Sequence, residues 1–196
     1  ALVNRYGTVV TAAFGIGMQI DMLATIPFIS IGMAATTIAG QNLGAQKLDR
    51  VFLTLRISIY FGLVIGLICT AILLLFPHYI GAIFLKESAE STKVLNIVRE
   101  YYHWIAFIFP CFAVIFAIQG VLRSAGDTMA LLALSFVAMF VLRIPLAYAL
   151  AGPGGFKQDG IWMAMLMSSA FAVGLNWLYF KKGPWTKKRL LGKQKS

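Results

Sequence analysis

Along this chain the apolar residues gather into five long stretches separated by shorter polar intervals. Ile57–Phe76, Trp104–Leu122 and Ile161–Phe180 carry no charged side chain, Val9–Ala39 holds a single acid, Asp21, and Met129–Leu150 a single base, Arg143. A bilayer core about 30 Å thick takes roughly 20 apolar residues per helix, because each backbone polar group must be paired within the helix itself. The pattern therefore predicts spanning helices at 9–39, 54–76, 102–122, 129–151 and 160–180. Segments of about ten residues with alternating polarity, which would signal an outer-membrane barrel, are not seen. The expected fold class is an all-α membrane protein with five transmembrane helices.

The polar intervals add detail. "LKESAESTKVLNIVREYYHW", residues 85–104, is polar at first and then repeats apolar residues at Val94, Leu95, Ile97, Val98 and Tyr101, as an amphipathic surface helix running into the third span would. Pro27, Pro110 and Pro145 fall inside spans, where a missing backbone donor marks a helix kink. Gly62 and Gly66 form a small-residue step suited to close helix approach. Met163, Met165 and Met167 read as adaptable packing, and Cys69 and Cys111 as small apolar residues inside spans. Aromatics at the span ends, "YYHW" at 101–104, Trp162, and "WLYF" at 177–180, read as the interfacial belt, with His103 and His78 as interfacial residues.

Composition supports the membrane reading: 60% of residues are hydrophobic, only 12% are charged, and the mean hydropathy is +0.82. If five helices alternate, residues 40–56, 123–128 and 181–196 share one side and carry eleven of the bases, against five on the other. The basic-rich side is expected to be cytoplasmic, which puts the C-terminus there. Residues 1–181 then form a transmembrane unit and 182–196 a basic tail, after Gly183 and Pro184 end the last helix. A net charge of +10 with its bases in a short tail behind a span suits anionic lipid headgroups, not nucleic acid. The chain opens on "ALVNRYG" without an initiator Met or a basic signal region, and is expected to be a piece of a longer protein.

Candidate chemistry is sparse. Asp21 lies about 18 Å into the first span at 1.5 Å per residue, where a carboxylate costs at least about 2.5 to 3.5 kcal/mol. Asp21, Thr25, Gly32 and Thr36 share one helix face broken by Phe28, a stripe that should face protein or a water-filled cavity. Two readings stand open. Asp21 lines a cation or substrate pathway, or it pairs with Arg143, which lies about 10 Å below the end of the fourth span. Arg143 could instead snorkel outward. Gln119 and Asn176, polar within spans, bridge helices or touch the same pathway. No HExxH, GxSxG or Walker loop and no histidine pair at ligand spacing is present, so neither a catalytic site nor a metal or other cofactor is expected.

The polar turn "GQNLGAQKLDR" at 40–50 is expected to stop the first helix at Gly40 and Gly44, with Gln41 and Asn42 satisfying end carbonyls. With its surroundings, "IPFISIGMAATTIAGQNLGAQKLDRV" at 26–51, it resembles the multidrug and toxic compound extrusion (MATE) family, whose spanning helix runs into a G-Q-N-x-G-A-x-x-x-x-R-A loop. "GVLRSAGDTM" at 120–129 is similar to the family's L-R-G-x-G-D-T turn. The resemblance assigns Gly40, Gln41, Asn42, Gly44, Arg50, Arg123, Gly126 and Asp127 to family-motif loops and covers essentially the whole chain.

The resemblance implies that the five helices are the eighth to twelfth of twelve, most of a C-terminal lobe in a bacterial cytoplasmic membrane. The chain would pair with a missing N-terminal lobe of the same transporter, with membrane lipids and with small organic substrates. It further implies secondary active export of organic, often cationic compounds by sodium or proton antiport, through rocking of two lobes. Some members couple cations through an aspartate in the tenth helix. That neighbourhood reads "FPCFAVIF" here, with no acid, so coupling would rest on the absent lobe, with Asp21 a weaker candidate. A lipid-linked precursor or polysaccharide flippase of the same superfamily is the alternative within transport. A structural membrane subunit without transport is a further one.

Overall fold

The computed structural model describes residues 3–85, 90–152 and 155–185. After a 3-10 turn at Val3–Tyr6, helix α1 runs unbroken from Thr8 to Gly44, passing through Pro27. At 1.5 Å per residue its 37 residues reach about 55 Å, well beyond a hydrocarbon core. Of the two glycines expected to stop it, Gly40 does not and Gly44 is its last residue; the left-handed residue that turns the chain is Gln46, at φ 60°. Helix α1 ends because Lys47 N–H returns to the Asn42 carbonyl at 2.9 Å, which leaves a three-residue connection to α2 (Leu48–Leu75). The Asn42 side chain donates at 2.9 Å to the carbonyl of Ile38, one turn back inside the helix, and not to a freed end carbonyl, because α1 runs two residues further.

Pro77 opens the short helix α3 (Pro77–Ile83), where its missing donor costs nothing. The expected third span is two helices, α4 (Ser91–Ile105) and α5 (Ile108–Ser124), bent by 48°. Pro110 explains the break: it cannot donate to the Ala106 carbonyl four residues back. Thr70 of α2 supplies the missing bond, its hydroxyl donating to that carbonyl at 2.7 Å. The amphipathic segment is therefore α4 itself, extending to Ile105, with Val94, Leu95, Val98, Tyr101 and Tyr102 buried.

The fourth span is continuous from Thr128 to Ala151 in three registers: α6 (Thr128–Phe136), a π-helical stretch (Val137–Arg143) and α7 (Ile144–Ala151). Pro145 is the second residue of α7, so the wider turn sits where its ring would crowd the preceding α-helical carbonyls. Helix α8 (Lys157–Lys182) completes the chain. Four helices, with the bent α4–α5 pair as a fifth, have the length and apolarity to cross a membrane. The helix runs into the predicted tail, and Trp185 is buried against Phe180. Residues 186–196, the rest of that tail, lie outside the described residues, as do Lys86 and Glu87.

Packing is organised around α5, which contacts α1, α2 and α8. Small residues set those approaches. A methyl at Gly120 would lie 2.5 Å from the Gly32 carbonyl oxygen, and one at Gly62 2.9 Å from the Ala113 Cβ. The Gly62/Gly66 step thus does seat α2 on α5, Gly66 against Pro110. Two apolar clusters result. One joins Val10, Ile16, Val98, Tyr101, Phe109 and Trp162, the other Ala39, Val51, Leu55, Ile118, Leu122 and Phe180. Large apolar side chains such as Leu67, Met22 and Leu132 point outward, more than half exposed, as suits faces turned to lipid or to more protein.

Candidate functional site

A cavity of about 610 Å³ opens between α1, α4, α5, the π stretch and α8. Its walls are mostly Phe, Met and Ile, and Asp21 and Arg143 are its only charged lining residues among those described. Thr25 lines it one turn beyond Asp21, its hydroxyl donating to the Asp21 carbonyl at 2.6 Å. The chain reaches this arrangement because α1 carries a single acid, Asp21, and the end of α4 before the α4–α5 bend brings Tyr101 and Tyr102 onto it.

Asp21 does not pair with Arg143. The Tyr101 hydroxyl donates to Asp21 Oδ2, and the Tyr102 hydroxyl lies 3.3 Å from Oδ1 and 3.2 Å from the Gly17 carbonyl, its one proton divided between them. Arg143 turns to α8 instead, its Nε donating to Ser168 Oγ at 2.7 Å and an Nη to Ser169 Oγ at 3.2 Å. Both serine hydroxyls in turn donate to the Met165 carbonyl, at 3.0 and 2.9 Å. Each charge is held by neutral donors or acceptors, so the carboxylate and the guanidinium share one cavity without cancelling each other.

Tyr101, Tyr102 and Trp162, read as belt aromatics, are fully buried. Trp162 stacks on Phe14 at 5.3 Å and meets Tyr101 edge-on at 4.9 Å, so this cluster is the floor beneath the carboxylate. Gly17 makes it possible: a methyl there would sit 2.7 Å from the Tyr101 ring. Nothing local in the sequence marks these tyrosines as partners of an acid 80 residues earlier; the buried carboxylate's need for donors was the only clue.

The other expected residues divide. Thr36 donates to the Gly32 carbonyl at 2.8 Å, away from the cavity, and Phe28 breaks the stripe by stacking on Phe109. Gln119 is half-buried on α5 and Asn176 is buried in α8, its amide donating to the Ala172 carbonyl at 2.8 Å; neither lines the cavity. Of the methionines read as packing, Met165 lines the cavity and Met167 is exposed. Met18, Met22 and Met139 also line it, unmarked in the sequence. His103 is exposed, beside Arg99, Glu100 and Asp159 in a separate polar depression.

The two motif loops meet away from the cavity. Gly40 faces Ser124, where an added methyl would make ordinary contact at 3.7 Å. Gly126, at φ 79°, turns the chain between α5 and α6, and Asp127 N–H returns to the Leu122 carbonyl at 3.2 Å. Asp127 is buried and accepts a hydrogen bond from the Tyr179 hydroxyl at 2.5 Å, tying the end of α8 to this turn. Arg50 and Arg123 are exposed.

The sequence finds counterparts among known proteins. The family model described as MatE matches residues 1–149. "Probable multidrug resistance protein YpnP" of Bacillus subtilis is 29% identical over 190 residues, 97% of this chain and 41% of that protein. "Probable multidrug resistance protein YoeA" of the same organism is 27% identical over 97% of the chain and 40% of its own length. "Probable multidrug resistance protein NorM" of Thermotoga maritima is 24% identical over 94% and 39%. The chain spans about two fifths of the length of these curated relatives.

Proposed function

Because this chain belongs to the MATE family, we propose that it forms part of a multi-pass membrane transporter that exports small organic, often cationic compounds. The observation that carries the reading is Asp21, a carboxylate presented with aromatic and Met side chains in a 610 Å³ cavity, with no cationic partner among the described residues. An amphipathic organic cation needs both: apolar walls for its rings and one anion for its charge. The relatives' names as multidrug resistance proteins point the same way.

The cavity is one wall of the pathway, and the N-terminal lobe supplies the other. Transport proceeds by alternating access, driven by inward sodium or proton movement, with the coupling groups of the missing lobe acting alongside Asp21. The C-terminus and the loops at 45–47 and 125–127 face the cytoplasm. The organic cargo and the coupling ion are bound reversibly, so the protein is a carrier and needs no catalytic group, metal or other cofactor.

Arg143 favours the second reading in part, since a flippase of the same superfamily would need cationic groups for a diphosphate headgroup. One guanidinium, already engaged by Ser168 and Ser169 and sharing its cavity with a carboxylate, suits that substrate poorly. Drug export by the complete transporter decides. Asp21→Asn is expected to lower export of a cationic dye at least tenfold, with Asp21→Glu retaining part of it. Unchanged export and ion dependence in Asp21→Asn would remove Asp21 from the pathway.

A further inference from the structure

A second cavity, about 370 Å³, lies between the start of α2 and the end of α8. Arg56 and Lys181 line it, and among the described residues no carboxylate does; the nearest acid along α2, Asp49, is two turns toward the helix start. These two cations occupy equivalent depths. Arg56 is the last charge before the uncharged run Ile57–Phe76, and Lys181 the first after the uncharged run Ile161–Phe180. Because the groove brings them together, both stand at one boundary between headgroups and hydrocarbon.

Toward the hydrocarbon from them the wall is Ile59 and Trp177, while Phe52, one turn nearer the start of α2, packs edge-on against Trp185 and closes the other end. Lys181 Nζ rests 5.2 Å over the Trp177 ring, and Trp185 donates to the Phe180 carbonyl at 2.7 Å, so the aromatic frame is fixed from within. Phe52 and Trp177 remain about 40% exposed. A groove with two cations at the interface and an exposed apolar wall beneath matches an amphiphile with an anionic head and an acyl tail. The chain's own tail does not match, since Lys187, Lys188 and Arg189 would be driven onto Arg56 and Lys181.

We propose that this groove is a binding site for one anionic phospholipid, its phosphate between Arg56 and Lys181 and an acyl chain along Ile59 and Trp177. The site is distinct from the Asp21 cavity and does not depend on the transport reading. It ties the first turns of α2 to the last turn of α8 through the lipid headgroup.

Native mass spectrometry of the chain, purified in detergent with phosphatidylglycerol or phosphatidylcholine of the same acyl composition, tests this. Phosphatidylglycerol is expected to be retained about tenfold better, and Arg56→Gln with Lys181→Gln to reduce it to the phosphatidylcholine level. Lys47→Gln with Arg50→Gln, which removes two bases from the same end outside the groove, should leave retention unchanged, as should millimolar inorganic phosphate. Should the groove double variant not fold, Arg56→Lys is expected to keep the preference and Arg56→Gln alone to weaken it. Equal retention of the two lipids, an indifferent Arg56→Gln, displacement by phosphate alone, or a second copy of the chain found cross-linked through Phe52 would each overturn the assignment.

Discussion

Asp21, on which the proposed function rests, is held by two tyrosines. A carboxylate at membrane depth is tolerated when donors replace water, and hydrogen bonds to a charged group contribute about 1.5 to 3 kcal/mol each. Tyr101→Phe removes the bond to Oδ2 while keeping the buried ring, so it is expected to lower stability by about that amount in unfolding titrations in detergent. Tyr102→Phe should cost less, because its hydroxyl is shared with the Gly17 carbonyl. Asp21 itself was legible from the sequence as the lone acid within a span. Its partners were not: aromatic residues near the end of an apolar run look the same whether they meet headgroups or a buried acid. Arg143 shows the converse limit, because depth along two helices said that it could reach Asp21, while rotation about the π stretch and α8 decided that it meets Ser168 and Ser169 instead.

At the level of helices, close approach is set by glycine and breaks are set by proline. Gly120 lies against the Gly32 carbonyl, so Gly120→Ala forces backbone apart and is expected to destabilise by about 1 to 3 kcal/mol. Gly15→Ala, whose new methyl would meet nothing within 4 Å, should be neutral or slightly stabilising through helix propensity. Comparing the two by thermal unfolding separates a packing effect from a general glycine effect. At the α4–α5 bend, Thr70→Val leaves the Ala106 carbonyl without its donor in a buried site and should cost about 1 to 3 kcal/mol. The spans were readable because a bilayer imposes length and apolarity on each. The bend at 106–107 and the π stretch at 137–143 were not, since Pro110 and Pro145 announce a defect without saying whether a neighbouring helix or a change of register will absorb it. The G-Q-N stretch misled in part: α1 passes through Gly40 and ends at Gly44, but the left-handed turn falls on Gln46 and not on a glycine.

For the molecule as a whole, the proposed function takes the cavity as one wall of a pathway whose facing wall a second lobe would supply. Met22, Ile29 and Phe112 line the cavity on apolar surface, of which Met22 is 74% exposed, a face that a second lobe would cover. Reconstituted alone, the 196 residues are accordingly expected to give no ion-dependent dye transport, whereas the complete transporter should. The central claim is that the cavity beside Asp21 is an aqueous, substrate-bearing pathway. It is tested most directly by Thr25→Cys in a complete transporter from which Cys69 and Cys111 have been removed, reacted with a membrane-impermeant thiol reagent with and without a cationic substrate. The account expects Thr25→Cys to be modified and saturating substrate to slow that modification several-fold; a thiol that never reacts, or reacts at the same rate with substrate present, would contradict it.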